Sequence, residues 1–226
     1  MRAESGLLLG AWGTLVGLDL ASVPQVMIAR PLVAGTVAGA ILGDVATGLR
    51  LGVLFELFQI DILPLGAARY PEYGPATVAS VAAAHAAVGA LGVGLGVVVG
   101  MFTGLLGGIS VHWALRPWNT RAVQRASPRL EAGDPHAVVR VHAAALARDA
   151  VRAAVVTTIG LVLAALVRTY LVGTLTPRGA FVVVAAATGA AIAAGTNGTL
   201  QLVSRRANLA WLGAGLVLGV VGAWLR

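Results

Sequence analysis

Long apolar runs, interrupted at short intervals by single polar residues and prolines, dominate the N-terminal third of the chain. Residues 6–29 form the first run but contain Asp19, Pro24 and Gln25. Residues 31–43 form a second run, which is too short to cross a bilayer core of about 30 Å, since that takes about 20 helical residues. Residues 47–67 form a third and contain Arg50, Glu56, Asp61 and Pro64. Irregular backbone at membrane depth is tolerated only inside protein or beside a wet cavity. The pattern therefore predicts broken or re-entrant helices, an arrangement by which many transporters build a substrate site.

Residues 75–115 are uncharged, with His85 and His112 the only titratable groups. A single straight helix of that length would be about twice as long as the bilayer core is thick. The run is expected to split near residues 86–92 into a half-span and a full span. In the second piece Gly92, Gly96, Gly100, Gly104 and Gly108 recur every four residues. That spacing lines five glycines along one helix face, a groove for close contact with another helix.

Residues 116–149 are the one long polar stretch. Pro117, Pro128 and Pro135 are expected to break it, with an amphipathic helix over 138–152 carrying Arg140, Arg148 and Arg152 on its wet side. Three apolar spans are then predicted at 151–175, 180–203 and 207–225, with Arg205 and Arg206 marking a turn between the last two.

Composition narrows the class. The chain is 58% hydrophobic and only 11% charged, with mean hydropathy +0.87. Soluble domains carry roughly 25% charged residues, so this is an integral membrane protein. All 16 basic residues are Arg, and seven of them lie between Arg116 and Arg152. Against Glu131, Asp134 and Asp149 they leave this segment with much of the chain's net charge of +7, which marks a cytoplasmic loop rather than a nucleic-acid surface. There is no cysteine, hence no disulfide framework and no thiolate metal site. Arg2 before the apolar residues 6–18 imitates a signal peptide, but no A-x-A cleavage pattern follows and Asp19 interrupts. The segment is expected to be retained as the first membrane element.

Ionisable groups inside membrane segments are costly and point to function. Glu56, within the bulky stretch 54–58, is the foremost ligand candidate, because carboxylates accept hydrogen bonds from hydroxyl donors, often two at once. The competing reading is an ion pair with Arg30 or Arg50. Asp19 and Gln25 form a second candidate pair, weighed evenly against a helix-capping role for Asp19. Asp44 reads as a helix cap after Gly43. Arg30-Pro31 opens the short segment, with Pro31 at a first helical position. His85, His112, His136 and His142 lack an acid partner in sequence and read as packed or interfacial side chains. No Walker loop, kinase, zinc or nucleophile-elbow motif is present, and no metal or cofactor is implied.

Residues 17–68 carry Gly17-Leu18-Asp19, Gln25, Arg30-Pro31, Gly35, Gly43-Asp44, Gly48, Gly52, Glu56-Leu57 and Pro64-Leu65-Gly66-Ala67-Ala68 in order. This set resembles the membrane subunit IIC of the mannose–fructose–sorbose phosphotransferase family. The remainder resembles it only in layout. The resemblance implies a partner membrane subunit, IID, with which IIC encloses the sugar. It also implies a cytoplasmic IIB subunit, phosphorylated by IIA, that passes its phosphoryl group to the arriving sugar. IIC itself carries no phosphorylated residue in that scheme. Glu56 and Asp19 fall where sugar contacts are expected by resemblance. Two departures stand out. Arg69-Tyr70-Pro71-Glu72-Tyr73 replaces a common Pro-Pro-acid turn, and an Asp near Pro64 is shifted by one place, as Asp61. They leave open an altered sugar choice or a paralogue without transport.

The expectation is an all-α membrane protein of the bacterial inner membrane with several spans. Residues 1–87 form a broken-helix transport unit and 88–115 a glycine-lined span. Residues 116–150 form a basic cytoplasmic loop and 151–226 a scaffold. Its work is hexose-type sugar translocation, with Glu56, Asp19, Gln25 and Asp61 as substrate ligands. Its partners are IID, IIB and IIA, in a homo-oligomer of IIC–IID units. The alternatives are a regulatory paralogue that docks phosphocarrier proteins without transport, and an unrelated transporter with similarly broken helices.

Overall fold

The computed structural model describes residues 3–60 except 21, residues 70–174 except 86 and 88, residues 176–198, and scattered positions between 213 and 225. Among these, all regular structure is helical. Asp61, the Pro64–Ala68 motif and the Arg205-Arg206 turn lie outside the described residues, as does most of the last expected span.

Helix α1 spans Ala3–Asp19 and stops at the first buried acid. An irregular segment, 20–30, leads to the short helix α2, Pro31–Leu42, whose first residue is the proline. Proline fits there because its ring presets φ and the missing N–H would be unpaired in any case. Gly43, at φ 76°, ends α2 in the left-handed region that favours glycine, and the Gly43 and Asp44 amides close back onto the carbonyls of Ala40 and Gly39. Asp44 then caps α3, Val45–Gln59, by accepting from the Thr47 amide at 3.1 Å.

Helices α2 and α3 pack backbone to backbone. A Cβ on Gly35 would lie 2.6 Å from the Gly48 carbonyl oxygen, and one on Gly39 would lie 3.1 Å from Gly48 Cα. With little apolar driving force between helices in lipid, this close van der Waals contact is what holds such a pair.

Helix α4, Tyr73–Ala84, is the centre of the molecule: all twelve of its residues are buried. It lies against α1, α2, α3, α5 and α7. Helix α5, Ala90–Ser110, runs antiparallel to it, and the glycine stripe faces α4. Gly96 lies over Ser80, Gly100 over Ser80 and Phe55, and Gly104 over Ala76. The groove expected from the four-residue spacing is thus filled from within the chain.

Beyond α5 the sequence expectation fails. Residues 116–131 are not a proline-broken loop. A five-residue π-turn, Val111–Leu115, runs straight into helix α6, Arg116–Glu131. Pro128 sits inside α6 without ending it. It deprives only the exposed Gln124 carbonyl of a helical donor, one turn before the helix stops, where solvent can pair that oxygen. After Gly133, at φ 73°, helix α7 runs unbroken over Pro135–Tyr170 and absorbs the expected amphipathic helix as its first turns. Helices α6 and α7 form a helical hairpin. Helix α8, Pro177–Gly198, packs on α5 and α3.

Two stretches, Leu91–Glu131 and Pro135–Tyr170, are long and apolar enough to cross a membrane. The outward faces of their inner portions are apolar at helical spacing: Val98, Phe102, Leu105 and Ile109 on α5, and Val151, Val155, Ile159, Val162 and Leu166 on α7, are all exposed. The interior mixes glycine, alanine and small hydroxyl residues with Leu9, Leu51, Phe55 and several valines. Large apolar side chains facing outward along both long helices, with small residues at the helix contacts, are the membrane pattern. The 36 residues of α7 measure about 54 Å against a core of about 30 Å, so the hairpin end stands clear of the lipid.

Candidate functional site

The irregular segment between α1 and α2 is held by three carboxylates from three different helices. Asp149 of α7 accepts from the Ser22 hydroxyl. Asp19, at the end of α1, accepts from the Val26 amide at 2.7 Å and the Ala29 amide at 2.9 Å. Glu56 of α3 pairs with Arg30 and accepts from the Leu32 amide at 3.0 Å. The acids thus grip the segment in chain order, at its start, middle and exit into α2.

The reason is hydrogen-bond accounting. A broken helix leaves amide donors without intrahelical partners, and a buried unsatisfied donor costs about 1–3 kcal/mol. Carboxylates, with two acceptor oxygens each, can satisfy several at once. Within the segment Gln25 (φ 60°) and Met27 (φ 68°) occupy the left-handed region that non-glycine residues rarely adopt. Such a backbone persists only where the surroundings over-determine it, and it clusters at functional sites.

The expected site residues are therefore placed as follows. Asp19 is buried, with both oxygens engaged by backbone amides. Glu56 is close to the same segment, and of its two expected ion-pair partners the structure selects Arg30. The pair is partly exposed, at 39% for Arg30 and 19% for Glu56, so it is open to a ligand from one side. Gln25 is exposed on the outer surface of the segment.

A second cluster at this end was not expected. Arg152, placed by its sequence pattern on a wet face, is buried. Its guanidinium donates to Glu72 Oε2 at 2.7 Å, to Asp149 Oδ1 at 2.8 Å and to Ser110 Oγ at 3.2 Å. Glu72 and Asp149 are buried as well. Desolvating a guanidinium requires paired acids and completed hydrogen bonds, which two carboxylates and a hydroxyl supply. Because the Asp149 carboxylate also binds Ser22, the cluster extends to the irregular segment. The sequence signal was present in Asp149 and Arg152, three apart inside a helix that is apolar from Val151 onward. An acid at Glu72, at the mouth of a 41-residue uncharged run, was its counterpart.

A profile of the sorbose-specific IIC component of the phosphotransferase system, EII-Sor, matches residues 4–223. The chain belongs to this family. Two EII-Sor relatives carry the name PTS system sorbose-specific EIIC component. That of Klebsiella pneumoniae is 45% identical over 51 residues, 23% of this chain and 19% of the relative. That of Lacticaseibacillus casei is 34% identical over 74 residues, 33% of this chain and 26% of the relative. The chain thus aligns with about a fifth to a quarter of the length of these curated relatives. A solved chain titled "Structure of membrane protein" has a TM-score of 0.56 at 18% identity, covering 100% of this chain and 81% of its own. That likeness is one of fold, and with the apolar helices it gives the EII-Sor chain an all-helical membrane architecture.

Proposed function

We propose that the chain is a sugar-translocating IIC subunit of a phosphotransferase system, in the bacterial inner membrane, with the α6–α7 hairpin in the cytoplasm. The observation that carries this is the irregular segment 20–30, pinned by Asp149, Asp19 and Glu56 beside the partly exposed Arg30–Glu56 pair. An arginine donates and a carboxylate accepts, so the pair can address a vicinal pair of sugar hydroxyls, one as acceptor and the other as donor. Gln25 and Asp61 are assigned to the same sugar route. Asp19 shapes the segment that presents the site. Family membership supports IID as the partner that completes the enclosure, IIB and IIA as the phosphoryl carriers, and assembly into oligomers of IIC–IID units. The hairpin has an arginine excess, the mark of an inward-facing segment.

Two experiments test this reading. Sugar-dependent phosphorylation is measured in membranes with and without this subunit, the other components held constant; equal rates in both would overturn it. For sidedness, a cysteine placed at Gly133 is exposed to an impermeant thiol reagent on intact cells. No labelling is expected until the cells are opened.

A further inference from the structure

Helices α6 and α7 enclose a groove of about 430 Å3 whose lining includes Arg125, Arg129, Arg140 and Arg148. The small side chains of Ala122, Ala126, Ala137 and Ala144 leave the space between the two helices open. Opposing charge is scarce. Arg140 makes a 3.4 Å contact with Asp134, whose other oxygen caps α7 by accepting from the His136 amide. Arg148 donates to the neutral Asn119 side chain at 3.0 Å. Among the described residues no carboxylate pairs with Arg125 or Arg129.

Arg125 and Arg129 are one helical turn apart, a spacing at which like charges destabilise a helix. They face two further arginines across the groove. A solvated basic surface would relieve this repulsion by spreading its charges over the outside of the hairpin. Here four arginines line one concave space, Arg140 also donating to the His136 carbonyl at 3.2 Å. Planar guanidinium forks match phosphate oxygens in pairs, which an ammonium cannot do.

We infer that this groove binds a phosphate group. Its height selects between two sources. The continuous exposed apolar stripe of α7 begins at Val151, Val138 and Val139 being an isolated exposed pair near the start of the helix, and Arg140 lies eleven residues before Val151. That is about 16 Å further along the axis, and an ordinary tilt of about 20° shortens the rise by only about 1 Å. The interfacial layer beyond the hydrocarbon is about 5–7 Å thick. Arg148 stands within that layer and Arg140 beyond it, so the groove opens mainly to water. A free phosphomonoester is the favoured ligand, with a phospholipid headgroup reaching only the inner end.

The test uses the purified full-length chain in a neutral detergent, titrated calorimetrically with inorganic phosphate and with glycerol 3-phosphate; glycerol is the uncharged control. The double variant Arg125→Gln/Arg129→Gln is compared with Arg121→Gln/Arg178→Gln. Both remove two exposed charges, the second pair outside the groove. Both phosphates are expected to bind and glycerol not. Affinity should fall at least about tenfold in the groove variant and stay within about twofold in the control. Equal losses in the two variants would mean that net charge alone attracts the anion, and the site would be overturned. So would an absence of phosphate binding to the unaltered protein. Repeating the titration in nanodiscs of phosphatidylcholine, with and without phosphatidylglycerol, separates the sources. Unchanged affinity assigns a free phosphoester. Weakened binding, together with loss of co-purifying anionic lipid from the groove variant, assigns a headgroup. Unaltered melting curves for both variants establish that neither outcome reflects misfolding.

Discussion

Arg152 and Glu72, eighty positions apart in the chain, meet through a 2.7 Å hydrogen-bonded ion pair that joins the long helix α7 to the start of the central helix α4. Both are buried, and Asp149 adds a second carboxylate at 2.8 Å. Breaking a buried pair from one side leaves a stranded charge at a cost of about 3–5 kcal/mol. Arg152→Gln strands two carboxylates and is expected to lower the melting temperature in detergent sharply. Glu72→Gln should cost less, because Asp149 still balances the arginine. The double variant Glu72→Gln/Arg152→Gln should not be worse than Arg152→Gln alone. A double variant as unstable as the sum of the two singles would show that the groups do not act as one unit.

Asp19 governs a local property. Replacing it with Asn leaves one acceptor oxygen and turns an amide donor toward a backbone N–H, at a cost of about 1–3 kcal/mol. The Val26 and Ala29 amides should then exchange with deuterium faster, while those of the fully buried helix α4 stay protected. Uniform acceleration across the chain would mean that the segment does not move independently of the fold.

For Glu56 the expected change is in affinity. Glutamine at this position still offers an oxygen to the Leu32 amide but no charge to Arg30. Charge-assisted hydrogen bonds are roughly twice as strong as neutral ones. Under the proposed sugar contact, Glu56→Gln should insert normally and lose about one to two decades in sugar affinity. Uptake measured over a range of sugar concentrations decides it. Unchanged apparent affinity would make the pair with Arg30 purely structural.

The α2–α3 crossing depends on missing side chains. A Cβ at position 48 would penetrate the Gly35 carbonyl, which cannot move without parting the helices, whereas Gly10 has open space around it. Gly48→Ala should cost about 1–3 kcal/mol or more through overpacking. Gly10→Ala should be neutral or slightly stabilising through its helix propensity. Thermal melts of the two variants side by side check this; equal shifts would refute the backbone contact.

These contrasts also show which features were legible in the sequence. The break after Asp19, the start at Pro31, the Asp44 cap and the glycine face of α5 each rest on local chemistry: where a donor goes unpaired, where φ must be positive, where a helix needs no side chain. The hairpin is not legible from Pro128, because a proline near the exposed end of a helix leaves a carbonyl that solvent can pair and so need not break the helix. Arg152 was misplaced for a different reason. Helical periodicity assigns it a face, but only Glu72, contributed from a distant loop, makes that face a buried one. Likewise Asp19 is legible as a polar interruption, while the identity of the amides it binds depends on the path of the chain between Ser22 and Ala29.

The π-turn at Val111–Leu115 acts on the phase of everything that follows it. One turn there accommodates an extra residue, and each residue of an α-helix advances the side-chain direction by about 100°. The insertion therefore works as a fixed angular offset between the lipid-immersed part of the rod and its projecting part. With it, the direction of the glycines that meet α4 and that of Arg125 and Arg129 are set independently, although one continuous rod carries both. Removing a single residue here would leave the immersed half in register and swing the arginines a quarter-turn or more away from α7. In this stretch of the molecule, a change in chain length is a change in heading.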